Sequence, residues 1–131
     1  MEIVSFLADL AAVAGALVSV AVYYDTVNRD RKISTIAKYS ELREKFPANI
    51  EDLDEEGKLA YLKELEFFCT GINERVYDLR ILRKMCGKRL IRQYDSVMKD
   101  FVEERRRVSQ TALRAWTEYE TTILHLKKYY K

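Results

Sequence analysis

Proline occurs once in the chain, at Pro47, and glycine only four times in 131 residues. Breakers this sparse exclude a turn-rich β fold and favour long helices. Cysteine occurs twice, at Cys69 and Cys86, which excludes the dense disulfide framework of a small secreted scaffold. Reduced thiols, packed as small apolar groups, are the expectation. His125 is the only histidine, and the paired His/Cys spacings of a metal site are missing. Gly15, Gly57, Gly71 and Gly87 stand too far apart to cradle a phosphate, and no P-loop, GxGxxG or GxSxG pattern occurs. The net charge of +2 lacks the basic excess of a nucleic-acid binder. No cofactor, no metal and no catalytic residue is expected, and nucleic acid is not an expected partner. A Cys–His pair assembled in space stays as the enzymatic alternative, against the usual inertness of a thiol in an apolar stripe.

What the chain does have is one long apolar run. Ile3 to Tyr24 reads IVSFLADLAAVAGALVSVAVYY, close to the ~20 residues that cross a ~30 Å hydrocarbon core. Asp9 is its one charge. Ten residues of the run are Ile, Val, Leu or Phe, each worth roughly −0.3 to −0.6 kcal/mol against roughly +2.5 to +3.5 for an Asp at the centre. The balance leans towards insertion, more so because Asp9 is off-centre. A cleaved signal peptide is a poorer reading, because only Met1 and Glu2 precede the run and no positive n-region exists. A buried helix of a soluble oligomer is the other alternative, favoured by six alanines and Gly15.

Arg29, Arg31 and Lys32 follow the run and no Lys or Arg precedes it. The positive-inside rule therefore predicts an N-terminus outside and a C-terminal domain, residues 25–131, in the cytoplasm. Tyr23 and Tyr24 suit the interfacial aromatic belt. Ala11, Gly15 and Ser19 form a small-xxx-small stripe that would let helix backbones approach, with Asp9 nearby to hydrogen-bond across the contact. Such a carboxylate could also line a polar path.

The remainder predicts helices throughout. Residues 25–48 read as a juxtamembrane helix or stalk, with Val27, Ile33, Ile36, Ala37 and Tyr39 as its apolar positions and Pro47 as its end. Residues 49–131 read as a cytoplasmic helical bundle. Its second helix carries Leu59, Leu62, Leu65, Phe68, Cys69, Ile72 and Val76 at spacings of three and four. Asp78 is placed to cap a short helix, Leu79 to Met85, that Gly87 ends. A long helix from about Lys88 to Val108 shows Ile91, Tyr94, Met98, Phe101 and Val102 on one face. Ser109 or Thr111 caps the last helix, with Leu113, Trp116, Ile123 and Leu124 facing inward. The fold class is all-α: a single N-terminal transmembrane helix (3–24) and a small bundle.

The grammar from Tyr61 onward resembles a known family. It comprises the Leu62, Leu65, Glu66 core, the Asp78-initiated short helix, Ile91 and Tyr94 on a helix ending in Arg105 to Arg107, and the Tyr119-Glu120 step. This is similar to the bacterial domain-of-unknown-function family numbered 4760. The resemblance implies a membrane-anchored helical bundle and carries no activity.

Two sets of polar residues call for partners. Glu66 and Glu120 fall on or beside apolar stripes, where a carboxylate must be paired or reach water. Arg92, Arg105 and Arg106 are their candidate partners, as structural ion pairs, with a polar ligand pocket as the alternative. Arg80, Arg83, Lys84, Lys88, Arg89 and Arg92 concentrate positive charge, with little acid between Asp78 and Asp95. They could form a contact patch for an acidic protein or lipid, or a merely solvated face. The function expected is a non-catalytic, membrane-anchored interaction or adaptor module that binds a protein partner or itself. The alternative is an oligomeric membrane-perturbing effector or small channel assembled through the N-terminal helix.

Overall fold

The computed structural model describes residues 2–130. With no proline before position 47, the first helix never breaks: α1 runs Glu2–Lys45, 44 residues, or about 66 Å at 1.5 Å per residue. That is about twice a hydrocarbon core. Its apolar half is long and apolar enough to cross a membrane and is covered by nothing else among the described residues. Its other half enters the bundle through Thr35, Tyr39 and Leu42. The chain then turns through Pro47 and a short 3-10 turn, Ile50–Asp52, capped by Asn49.

α2 (Glu55–Asn73) starts at Asp54, whose Oδ1 accepts the Gly57 N–H at 2.7 Å. Its inward stripe is Tyr61, Leu62, Leu65, Phe68, Cys69 and Ile72. α3 (Leu79–Gln93) is capped by Asp78, which accepts from Arg80 and Ile81. A π-helical turn, Tyr94–Met98, joins α3 to α4 (Lys99–Val108). A 3-10 turn, Gln110–Ala112, leads to α5 (Thr117–Tyr129). No strand occurs among the described residues.

One core serves all five helices. Leu62, Leu65 and Phe68 of α2 meet Leu82 and Leu90 of α3, then Met98, Val102, Tyr119, Ile123 and Leu126. Residues 25–48 share this core through Tyr39 and Leu42, so the stretch is part of the bundle as well as its stem. The join is polar. The fully buried Thr35 hydroxyl donates to the Arg31 carbonyl at 2.6 Å and accepts the Asp78 N–H at 2.8 Å. That links α1 to the start of α3.

Several expected positions differ. Ile33, Ile36 and Ala37 are exposed, because docking at Thr35 turns the 35–39–42 face inward and leaves the isoleucines on other faces. Val76 lies beyond the end of α2 and is exposed. Gly87 does not end a helix. The backbone kinks one residue earlier, at Cys86 (φ −156°, ψ 16°), and resumes. A Cβ at Gly87 would meet the Tyr130 hydroxyl at 2.7 Å, the far end of a side chain that can shift. Leu113 and Leu124 are exposed, whereas Tyr119, Thr122 and Leu126 join Ile123 inside. The register is set by the start of α5 at Thr117, not at Ser109 or Thr111.

Two predictions follow from this packing. A methyl on Gly71 would overlap the Tyr77 ring, which packs on Phe68 at 5.1 Å. Gly71→Ala is expected to cost about 1–3 kcal/mol, read as a lowered urea midpoint. The second concerns pH. Burial pushes the Cys69 thiol up to about 12 and the Cys86 thiol up to about 11. Thiols of the unfolded chain titrate near ~8.5. Folded thiols thus hold protons that unfolded ones release, so stability is full below that value and falls as pH rises towards 11–12. The slope is about 1.4 kcal/mol per pH unit for each thiol. A urea midpoint unchanged between pH 7 and 10.5 would refute it.

Candidate functional site

The α2–α3 connection is short, so the end of α2 and the start of α3 are held side by side beneath α1. α2 closes with a Schellman arrangement: the Val76 N–H bonds the Gly71 carbonyl at 2.8 Å and the Arg75 N–H bonds Ile72 at 3.1 Å. The residue in the left-handed position of that motif is Arg75, at φ 62°, where glycine is the usual occupant. Between this turn, α1, α3 and α5 opens a groove of about 810 Å³, within the size range of small-molecule sites.

Its charge is lopsided. Arg31 and Lys32 project from α1, Arg75 from the turn, and Arg80 and Lys84 from successive turns of α3. His125 lies across from them on α5. The one carboxylate in the lining is Asp78, and its Oδ1 is engaged by the Arg80 and Ile81 N–H groups. Among the described residues none of the five cations makes an ion pair. Arg31 is half-buried and its Nε is buried without a hydrogen-bond partner. Ile72, Tyr77, Leu79 and Ile81 are the apolar members of its lining.

The expected basic patch is thereby divided. Arg80 and Lys84 face the groove. Arg83 instead lies over the Tyr129 ring at 3.6 Å, and its carbonyl accepts from the Tyr130 hydroxyl at 3.2 Å. Lys88 sits 5.7 Å from the Tyr130 ring. Arg89 donates to the Ala48 carbonyl at 3.2 Å. Arg92 is exposed beside Lys88 in a separate hollow. Arg31, Lys32 and Arg75 complete the site, and the sequence offers no spacing signal that joins them to α3.

The two singled-out carboxylates do different work. Glu120 pairs with Arg106 at 2.5 Å and accepts from the Tyr94 hydroxyl at 3.4 Å, tying α4 to α5. Arg105 reaches Glu55 at 2.7 Å. Glu66 makes no ion pair among the described residues. Its two oxygens accept the Glu118 and Tyr119 N–H groups at 3.0 and 2.9 Å. α5 has no cap of its own, because Trp116 precedes it at φ 63° without a capping side chain. Glu66 supplies that cap from α2, a carboxylate at the positive end of a helix. On α1, the Ser19 hydroxyl donates to the Gly15 carbonyl at 2.9 Å, nothing among the described residues lies within 4 Å of a Cβ built at Gly15, and Asp9 and Ala11 lie on the same uncovered segment. Glu66→Ala orphans two N–H groups and is expected to cost about 1–3 kcal/mol; Glu66→Gln, which keeps one acceptor, is expected to recover part of it in the same denaturation assay.

Comparison with curated proteins and with solved structures returned no match. The family described as Domain of unknown function (DUF4760) matches residues 9–126, from within the apolar half of α1 to the last turn of α5. With most of its length matched, the chain belongs to the DUF4760 family.

Proposed function

We propose that this protein is a single-pass bacterial inner-membrane protein that holds a non-catalytic helical interaction module against the cytoplasmic face. The observation that carries the reading is the continuity of α1. One unbroken helix leaves its apolar half uncovered and builds its other half into the core at Thr35, Tyr39 and Leu42. An uncovered apolar helix of this length is stable in hydrocarbon and costly in water. Arg29, Arg31 and Lys32 at its polar end favour a cytoplasmic domain. The two free thiols, Cys69 and Cys86, suit a reducing compartment. The partner of such a module is a protein or a second copy.

A second reading rests on Asp9. Its carboxylate lies on the uncovered segment, where hydrocarbon penalises a charge by roughly 2.5–3.5 kcal/mol and rewards a partner helix. Asp9, Ala11, Gly15 and Ser19 would then assemble an effector or small channel.

Fractionation of a C-terminally tagged chain, with protease treatment of spheroplasts and native mass measurement in mild detergent, tests both. The anchor reading expects an integral protein whose tag is protected until the membrane is breached. Recovery in the soluble fraction would sink it. Asp9→Leu is expected to leave an anchored module in place and active in partner binding, whereas an assembly bonded through Asp9 loses its oligomer or its ion leak.

A further inference from the structure

We propose that the groove between α1, the α2–α3 turn, α3 and α5 is a binding site for a phosphate group. The lining carries five cations against one carboxylate, and that carboxylate is bound to backbone N–H groups of α3. Cations from three separate elements converge on one hollow without ion-pair partners among the described residues. Surface charges usually spread or pair; here they point at a shared space large enough for a ligand. Phosphate is the anion that matches. Arg31, Arg75 and Arg80 offer planar donor forks and Lys32 and Lys84 offer point charges, the combination that phosphate oxygens accept. Tyr77 and Ile81 in the lining suit a ligand that carries non-polar atoms beside its phosphate.

Two sources share this chemistry: the headgroup of an anionic phospholipid and a soluble phosphate compound. Position favours the first, and that preference rests on the membrane reading above. Asn28 and Arg31, both in the lining of the groove, follow Tyr24 by four and by seven residues. Along a helix these are about 6 and 10 Å. The headgroup layer is about 5–8 Å deep on each side of the hydrocarbon. The mouth of the groove would thus stand at the outer margin of the headgroups.

The test uses the full chain in a neutral detergent. Its melting temperature is followed on addition of short-chain phosphatidylglycerol, of pyrophosphate, and of sodium chloride at matched ionic strength. A bound ligand raises the melting temperature in proportion to its saturation. A rise of several degrees with phosphatidylglycerol alone assigns the lipid headgroup. A rise with pyrophosphate assigns a soluble phosphate compound. In either case Arg80→Gln/Lys84→Gln is expected to weaken the affinity at least tenfold, and Lys88→Gln/Arg92→Gln, outside the groove, to leave it unchanged. Arg75→Gly provides a readout that a structural role would not give. It relieves the left-handed conformation, so the unliganded chain holds or gains melting temperature while affinity falls. No rise with either phosphate probe, or a rise that survives Arg80→Gln/Lys84→Gln, overturns the proposal. Since the pyrophosphate arm needs no membrane, the site and the anchor stand or fall separately.

Discussion

The buried hydroxyl of Thr35 is the contact on which the arrangement of the domain turns. It donates within α1 to Arg31 and accepts from Asp78, the capping residue of α3. One side chain therefore ties the start of α3 to the inward face of α1. Tyr39 and Leu42 enter the core because Thr35 does. Arg31, one turn before it, is placed over the groove for the same reason. A buried hydroxyl is costly unless both its roles are satisfied, and here the two roles bind two different helices.

The rest of the bundle is held by caps that cross between elements. α5 begins after a left-handed Trp116 with no side chain of its own to receive its first N–H groups. Glu66 does so from α2, and Asn73, two turns further along the same face, donates to the Glu118 carbonyl at 3.2 Å and its carboxylate at 2.6 Å. Arg106 and Glu120 clasp the other side of the same helix. α2 and α5 are thus joined by polar bonds above an apolar seam of Leu65, Phe68, Cys69, Ile123 and Leu126. Such bonds specify register where apolar contact alone would tolerate sliding.

What the amino-acid sequence makes legible is whatever its neighbours decide. The α2 stripe is readable because six core residues recur at helical spacing. The cap at Asp78 is readable because the N–H groups it accepts lie two and three residues on. The long apolar run is readable from composition alone. The start of α5 is not, because its cap comes from Glu66, 52 residues before the N–H it receives. The inward face of α1 is not, because Ile33 and Ile36 outrank Thr35 in hydrophobicity and lose to it in geometry. Half the groove is visible as basic residues on α3. The half from α1 and the Arg75 turn joins it only through tertiary placement, and the same placement removes Arg83, Lys88, Arg89 and Arg92 to other surroundings.

α1 also has a mechanical consequence. It contains no proline and no break from Glu2 to Lys45, so the stem has no hinge at which the domain could swivel. In an anchored chain such a shaft transmits torque. A rotation or tilt of the lipid-facing half is delivered undamped to Thr35, and so to the seat of α3. Phase would matter more than length: one residue added between Tyr24 and Asn28 turns the domain by about 100° while lifting it only about 1.5 Å.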